Sequence, residues 1–197
     1  FTIILFICSL LGKPVAVALP LTLVLVDYFE RRGIFAQSNN NGAGGFNKGT
    51  AIKDVVMDKL PFIAIAMAAG IRSLMDQRTF GALNTMVVSF NPLERIALGC
   101  HALVTYLWKA ILPIDLSNFY PYPEKVNDSL PAIYYANIAI VVALCFALWQ
   151  WGRRNRFVLF GGLFFLGNIA LLLQFLPVGG AIVADRYSYI PYMGLFF

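Results

Sequence analysis

The residues of this chain that could do chemistry are concentrated near its carboxyl end, between two apolar runs. Asp185 and Arg186 stand there side by side, followed by Tyr187 and Tyr189. An arginine can bind a lipid phosphate through two parallel hydrogen bonds, and a neighbouring carboxylate can orient it or accept a hydrogen bond from a sugar hydroxyl. The tyrosines could supply stacking faces and hydroxyl groups. An ion pair with aromatic anchors in the membrane interface is the alternative interpretation.

Two further residues could take part in the same chemistry. Lys13 interrupts an apolar run, where it could bind an anion or simply extend its ammonium group to the lipid headgroups. Tyr120 lies in the aromatic and proline-rich stretch 119–123, which could equally be an interfacial anchor with rigid turns. We therefore predict a site for a lipid phosphate or a sugar. Its candidate residues are Lys13, Tyr120, Asp185, Arg186, Tyr187 and Tyr189.

Other reactive residue types show no pattern that indicates a site. His101 is the only histidine, and the helical i+3 and i+4 positions after it hold Val104 and Thr105. The three cysteines lie in apolar runs without paired spacing. We therefore predict no metal and no certain cofactor. The sequence also lacks a Ser-His-Asp set, a Walker loop and a dinucleotide-binding fingerprint.

The elements that must position the candidate residues are strongly apolar. Hydrophobic residues make up 59% of the chain and charged residues 13%, against roughly 45–50% and about 25% in soluble domains. This composition predicts an integral membrane protein. The net charge of +5 would suggest nucleic acid for a soluble domain, but here the basic residues lie mostly at the ends of apolar runs. Lipid headgroups select that arrangement, so the predicted partners are membrane lipids and not nucleic acid.

Polar residues divide the chain into apolar runs of nearly membrane-spanning length. A helix needs about 20 apolar residues to cross the hydrocarbon core, so we predict an all-α fold, a polytopic transmembrane helix bundle. The predicted crossings are the end of one at residues 1–11, followed by 15–29, 60–74, 130–151 and 157–176. Residues 33–52 include a stretch rich in Asn and Gly with no periodic apolar face, which predicts a flexible cytoplasmic loop.

Clusters of basic residues predict which loops face the cytoplasm. Arginines at positions 31 and 32 begin the first polar loop, and residues 153–156 contain three more. Because cytoplasmic loops carry an excess of Lys and Arg, both loops are assigned to the cytoplasm. Lys13, the region 77–129 and the pair at 185–186 then lie on the extracytoplasmic face.

Residues 92–112 fit this orientation least well. They are long enough to cross the membrane, but a crossing would place the arginines of 153–156 outside. The segment also carries Glu94, Arg95 and Lys109 among its apolar residues. Such a mixed pattern is typical of a helix that lies in the membrane interface. We therefore predict an interfacial helix, or a re-entrant one buried against the bundle.

We expect the chain to be a fragment of a longer protein, with all of residues 1–197 belonging to a single transmembrane domain. Phe1 begins within an apolar run that has no initiator methionine and no signal-peptide architecture. Phe197 ends within another apolar run, which opens after Pro191.

Four sequence motifs, taken together and in this order, resemble those of a known family. They are SLLGKPVAVALP at residues 9–20, LVDY at 25–28, LPIDL followed by FYP at 112–121, and ADRYSYIP at 184–191. With these motifs the chain resembles the membrane portion of the transmembrane and tetratricopeptide-repeat O-mannosyltransferase family, and its bacterial relatives in particular. The resemblance covers nearly the whole chain.

The resemblance implies a membrane glycosyltransferase of the C fold in a bacterial inner membrane. Such an enzyme would move a sugar, with mannose as one candidate, from a polyprenyl-phosphate carrier to a protein or other acceptor on the extracytoplasmic face. Arg186 and Lys13 would hold the carrier phosphate. The catalytic acidic residue would lie in the first extracytoplasmic loop, upstream of Phe1, and a tetratricopeptide-repeat domain would follow the membrane part.

Two other classes of function remain open at this point. The same charges could serve a transporter or flippase for a lipid-linked or small polar substrate, although transporters tend to place ionisable residues at mid-membrane and to show inverted repeats. The predicted crossings are nearly free of charge at their centres, and no repeat is visible. The third class is a non-catalytic membrane scaffold with the same fold. An acidic pair just after a first crossing, upstream of Phe1, would favour catalysis over the scaffold.

Overall fold

The computed structural model describes residues 2–31, 56–79, 90–125, 129–173 and 181–197. Over these residues the protein is mostly helical, as predicted. Its α-helices are α1 (Thr2–Gly12), α2 (Leu19–Arg31), α3 (Leu60–Thr79), α4 (Pro92–Ile111), α5 (Ala132–Arg154), α6 (Arg156–Ile169) and α7 (Tyr189–Leu195). Short 3₁₀ segments occupy Pro14–Ala18, Ala170–Leu172 and Asp185–Tyr187, and the strands are β1 (Tyr120–Pro121) and β2 (Ala181–Val183). The predicted cytoplasmic loop at 33–52 lies outside the described residues.

A short β-ribbon departs from the predicted all-α fold. Strands β1 and β2 pair antiparallel, with Tyr120 opposite Val183 and Pro121 opposite Ala181. Strands of two and three residues are too short to show the alternating pattern by which a sequence predicts them. The ribbon ties the segment after α4 to the segment before α7, and it therefore brings Tyr120 close to Asp185.

The main core forms where α4 packs against α5 and β2. Leu98, Ala102 and Tyr106 follow one another at four-residue intervals and are almost completely buried, as expected for the apolar face of an amphipathic helix. Phe165 and Ile169 of α6 join the same cluster. The segment predicted to be interfacial or re-entrant is thus a helix with one face buried by its neighbours, and its depth in a membrane stays a prediction.

The amino-terminal helices reach the carboxyl-terminal ones through α2. Helices α1 and α3 enclose a small cluster in which the rings of Phe6 and Phe62 lie 5.6 Å apart. Helix α2 packs against α6, and the rings of Phe29 and Phe160 meet edge to face at 5.2 Å. This contact sets the beginning of the chain beside its end, although about 130 positions separate the two rings, and long-range pairing of this kind is slow to form.

Helices α6 and α7 cross with their backbones in direct contact. A Cβ atom added at Gly194 would stand 2.6 Å from the carbonyl oxygen of Gly161, and one added at Gly161 would overlap the carbonyl oxygen of Gly194. Only residues without a side chain let two helices approach so closely. The two glycines therefore fix the position of α7 on α6.

One helix of the described residues, α5, is long and apolar enough to cross a bilayer. Only 6% of its apolar window is buried, whereas the core helix of a soluble domain would be mostly buried. The other apolar helices are shorter, and they are Thr2–Gly12, Val15–Phe29, Leu60–Ser73 and Arg156–Leu172. Length and apolarity together therefore support one crossing among the described residues, fewer than predicted, and the multi-pass bundle stays a prediction.

Candidate functional site

A cavity of about 310 Å³ lies between the two ends of the chain. Lys13 lines it from the amino-terminal side, and Arg186, Tyr187 and Tyr189 line it from the carboxyl-terminal side. Four of the six residues predicted from the sequence thus surround one space. Tyr120 and Asp185 are not among the lining residues, and they lie behind the wall that carries Arg186.

A helix break places Lys13 at the cavity. Helix α1 ends at Gly12, and Lys13 has an extended backbone (φ −153°, ψ 113°) before the 3₁₀ segment begins. Proline is tolerated at the first position of such a segment because its missing N–H would have no partner there. The Gly-Lys-Pro sequence therefore turns the chain at this point and leaves the exposed lysine beside the cavity.

Two neutral groups hold the exposed guanidinium of Arg186. Its Nη1 donates to Asn118 Oδ1 at 3.2 Å, and its Nη2 donates to the Tyr187 hydroxyl oxygen at 3.1 Å. The guanidinium carbon also lies 5.0 Å from the centre of the Tyr187 ring, a cation-π distance. Within the described ranges no carboxylate pairs with Arg186 or with Lys13, and no ion pair there compensates their two positive charges.

The Asp185 carboxylate makes its contacts with the loop after α4 and not with the Arg186 side chain beside it. Its Oδ2 accepts from the backbone N–H of Ser117 at 2.7 Å and lies 2.9 Å from the Tyr120 hydroxyl. Lys109 Nζ stands 3.8 Å from the same oxygen. The carboxylate is half-buried and points into the loop after α4, where the Ser117 N–H, the Tyr120 hydroxyl and the Lys109 ammonium group surround it.

Lys109 is a part of this cluster that the sequence did not single out. Its side chain is 8% exposed, and its ammonium group donates to the carbonyl oxygens of Ile114 at 3.1 Å and Asp115 at 2.9 Å. Asp115 has a positive φ of 51°, a left-handed conformation that aspartate tolerates better than most residues. The helical periodicity of α4 could have indicated that Lys109 is buried, because Lys109 continues the buried face of this helix.

Tyr106 fixes the backbone just before Asp185. Its hydroxyl donates to the carbonyl oxygen of Ala184 at 3.2 Å and accepts from the Ala184 N–H at 3.1 Å. Burial, followed by the nearby charge of Asp185 among smaller causes, raises the pKa of Tyr106 to about 12. The phenol therefore stays neutral and keeps both hydrogen bonds at any physiological pH.

A buried polar pair forms another part of the cavity wall. The Thr22 hydroxyl lies 2.9 Å from Asn168 Oδ1, and Asn168 Nδ2 donates to the Phe164 carbonyl at 2.9 Å. Both Thr22 and Asn168 line the cavity. Thr22 and Asn168 are polar residues within apolar runs, a feature that could have indicated a functional position. The sequence alone did not show that their two runs pack together.

The cavity combines two cations and two phenols with apolar walls from Val15, Leu19 and Ile190. Such a lining suits an amphiphilic anion. Among the described residues that line the cavity there is no carboxylate or histidine, and across the same residues no group of three His, Cys, Asp or Glu could hold a metal ion. No protein-family model, curated protein or solved structure matches this chain.

Proposed function

We propose that this chain is the membrane part of a glycosyltransferase that takes a sugar from a polyprenyl-phosphate carrier. The sugar, with mannose as one candidate, would pass to a protein or other acceptor on the extracytoplasmic side. One observation carries the proposal. Lys13 and Arg186 come from opposite ends of the chain, line one cavity and, among the described residues, have no carboxylate partner.

The two cations would act on the phosphate of the carrier. A guanidinium can hold two phosphate oxygens at once, whereas an ammonium group acts as a point charge. When the sugar leaves, negative charge grows on the carrier phosphate, and fixed positive groups lower the energy of that transition state. Asn118 and Tyr187 already hold the Arg186 guanidinium, so little reorganisation would be needed.

This chain would supply carrier binding rather than proton transfer. The lining residues that the structure describes include no carboxylate and no histidine, and these are the usual general bases at neutral pH. The family resemblance assigns the catalytic acid to a different loop, which agrees with this division of roles. Tyr189, which is 74% exposed beside the cavity, could stack on the sugar.

The proposal includes a multi-pass, C-fold-like bundle in a bacterial inner membrane, with α4 interfacial or re-entrant. Large apolar side chains are exposed along several helices, more than water-facing surfaces of monomeric proteins usually show. On α1 and α3 they are Ile3, Ile4, Leu5, Ile7, Leu11, Leu60, Met67, Ile71 and Met75. On α5, Ile140, Val142, Leu144 and Phe146 are exposed as well. Lipid would cover these surfaces.

Replacing Arg186 in the full-length enzyme tests the proposal. Arg186→Lys should lower the transfer rate from a lipid-linked sugar roughly 10- to 150-fold, because a charge-assisted contact is worth about 1.5–3 kcal/mol. Lys13→Met should cost less, since lysine makes the looser contact. The measurement is transfer of radiolabelled sugar from polyprenyl-phosphate-mannose in reconstituted membranes.

Arg72→Lys is the matched control, because Arg72 is an exposed arginine paired with Asp76 on α3. It should leave transfer unchanged. Full transfer activity in a well-folded Arg186→Ala protein would contradict the proposed role of the cavity in binding the carrier phosphate. Uptake of a lipid-linked substrate across the membrane without any sugar transfer would instead favour the transporter class.

A further inference from the structure

A small cluster of hydrogen-bonded polar groups holds the loop between α4 and β1 in place. Lys109 Nζ donates to the carbonyl oxygens at positions 114 and 115. Ser117 donates its N–H to Asp185 Oδ2 at 2.7 Å, and the Asp185 N–H donates back to the Ser117 carbonyl at 3.3 Å. These contacts fasten the loop to the start of the segment that carries Arg186.

The Tyr120 hydroxyl is the centre of this cluster. It accepts from the Ser117 N–H at 2.8 Å, and its single proton lies between the Asp115 carbonyl at 2.7 Å and Asp185 Oδ2 at 2.9 Å. The Tyr120 ring also lies 4.8 Å from Lys109 Nζ. The Ser117 N–H is shared in the same way between the Tyr120 oxygen and Asp185 Oδ2, so these groups form one connected network, which holds the loop.

Asn118 follows Ser117 directly, and its side-chain oxygen receives the Arg186 guanidinium at 3.2 Å. Because Ser117 is held by Asp185 and Tyr120, the backbone from which the Asn118 side chain extends is held as well. Asp185 and Arg186 are neighbours in the chain, but their side chains are connected through the loop, by way of Ser117 and Asn118. The amide is neutral and leaves the arginine its full charge, which a carboxylate at the same place would cancel.

We propose that Lys109, Tyr120 and Asp185 form a partly buried latch that positions Asn118, and that Asn118 in turn orients the Arg186 guanidinium toward the cavity. The inference builds on the proposed binding of a carrier phosphate. Asn118 and the latch residues are positioning residues, and none of the three latch residues lines the cavity. Lys109 also neutralises Asp185, so that the carboxylate does not compete with a bound anion for Arg186.

A double-mutant cycle on the full-length protein in detergent tests this arrangement, with farnesyl phosphate as the probe and calorimetry as the readout. Arg186→Ala should weaken binding about 10-fold, and Asn118→Ala about 3- to 10-fold. In the Arg186→Ala background, Asn118→Ala should change the Kd by less than about twofold, because its effect acts through the arginine.

Tyr120→Phe tests the latch with little change of shape, since the ring beside Lys109 remains. It should weaken binding about 3- to 10-fold when Arg186 and Asn118 are present and have little effect in the Asn118→Ala background. Asn155→Ala is the matched control. Asn155 is an exposed asparagine that accepts from the Phe157 N–H at 2.9 Å, so its loss should lower the Tm and leave the Kd unchanged.

The possible failures are distinguishable. Additive losses from Asn118→Ala and Arg186→Ala, in a protein that binds the probe, would overturn the positioning role and leave the carrier site standing. An unchanged Kd in Tyr120→Phe would overturn the latch. A wild-type protein that binds farnesyl phosphate no better than the Arg186→Ala variant would overturn the carrier site, and the inference with it.

Discussion

The charged residues of this chain differ in whether a partner compensates them. Glu94, which is 4% exposed, pairs with Lys125 at 3.0 Å, and the half-buried Lys59 and Asp27 pair at 2.9 Å. Buried charges without such partners would be costly. Lys13 remains exposed, and no described carboxylate pairs with it. An uncompensated cation at a cavity is the property expected of an anion-binding group.

Glu94 should make the fold sensitive to acid. Burial alone would raise the pKa of Glu94, but the Asn91 N–H at 2.7 Å and Lys125 outweigh it and hold the pKa below its usual 4.5. The ionised carboxylate therefore stabilises the fold above the unfolded pKa, and this contribution is lost as the pH falls through the folded pKa. Glu94→Gln should cost about 1–3 kcal/mol near neutral pH.

Thermal unfolding of wild type and Glu94→Gln across the acid range measures this effect. The difference in Tm between the two proteins should be largest near neutral pH and shrink as the solution is acidified. Asp76→Asn is the control, since Asp76 pairs with Arg72 on an exposed face and should cost less than about 1 kcal/mol at any pH. A Tm difference that grew toward acid would contradict the pKa direction given for Glu94.

Residue types and local motifs predicted part of the candidate site. Lys13 and Arg186 stand out in an apolar sequence because charge there needs a function or a partner. Lys109 and Asn118 did not stand out as site residues, since their importance depends on contacts of the loop after α4 with Asp185 and Arg186. Pairing between residues about 70 positions apart leaves no local pattern in a single sequence.

At the scale of elements, helix starts follow the apolar runs more closely than helix ends do. Helix α4 was predicted at 92–112 and is observed at Pro92–Ile111. Helix α3 was predicted to end at residue 74, but it continues to Thr79. Asp76 on this extension forms an ion pair with Arg72, which lies one helical turn earlier, and such pairs stabilise a helix beyond its apolar part.

The close crossing of α6 and α7 predicts that alanine substitution destabilises the protein much more at Gly194 than at Gly70. Gly194→Ala should lower stability by about 1–3 kcal/mol, because the new methyl group would overlap the Gly161 carbonyl and force the helices apart. Gly70→Ala on α3 is the matched control, since a Cβ there meets nothing within 4 Å. It should be neutral or slightly stabilising.

Unfolding of the purified variants in one detergent measures both changes. Because α7 begins two residues after Tyr187, Gly194→Ala should also weaken binding at the cavity, and Gly70→Ala should not. Equal stability of the two alanine variants would show that α6 and α7 are not in backbone contact.

For the whole molecule, the proposed topology puts the cavity and the loop at 153–156 on opposite sides of the membrane. Basic residues in the loops determine how a membrane protein is oriented. In the proposed topology α5 crosses the membrane and connects its two sides. Glu124 and Asn155 are exposed residues near its two ends. They therefore provide reporters for the two faces.

Single cysteines at these positions test the orientation. In a background without the native Cys8, Cys100 and Cys145, cysteine at position 124 should react with an impermeant thiol reagent added outside intact cells. Cysteine at position 155 should react only after permeabilisation. The reverse pattern would place the cavity in the cytoplasm and exclude an extracytoplasmic glycosyltransferase.

The distance along the chain between the two cavity walls has a consequence for biosynthesis. One wall is complete once Thr22 has been made, and the other requires Pro191. At about 5–20 residues per second, translation of the roughly 170 intervening residues takes on the order of 10–35 s. During that interval the cavity is incomplete, so under the proposed function partly synthesised or truncated copies would not compete with the finished protein for a scarce lipid-linked donor.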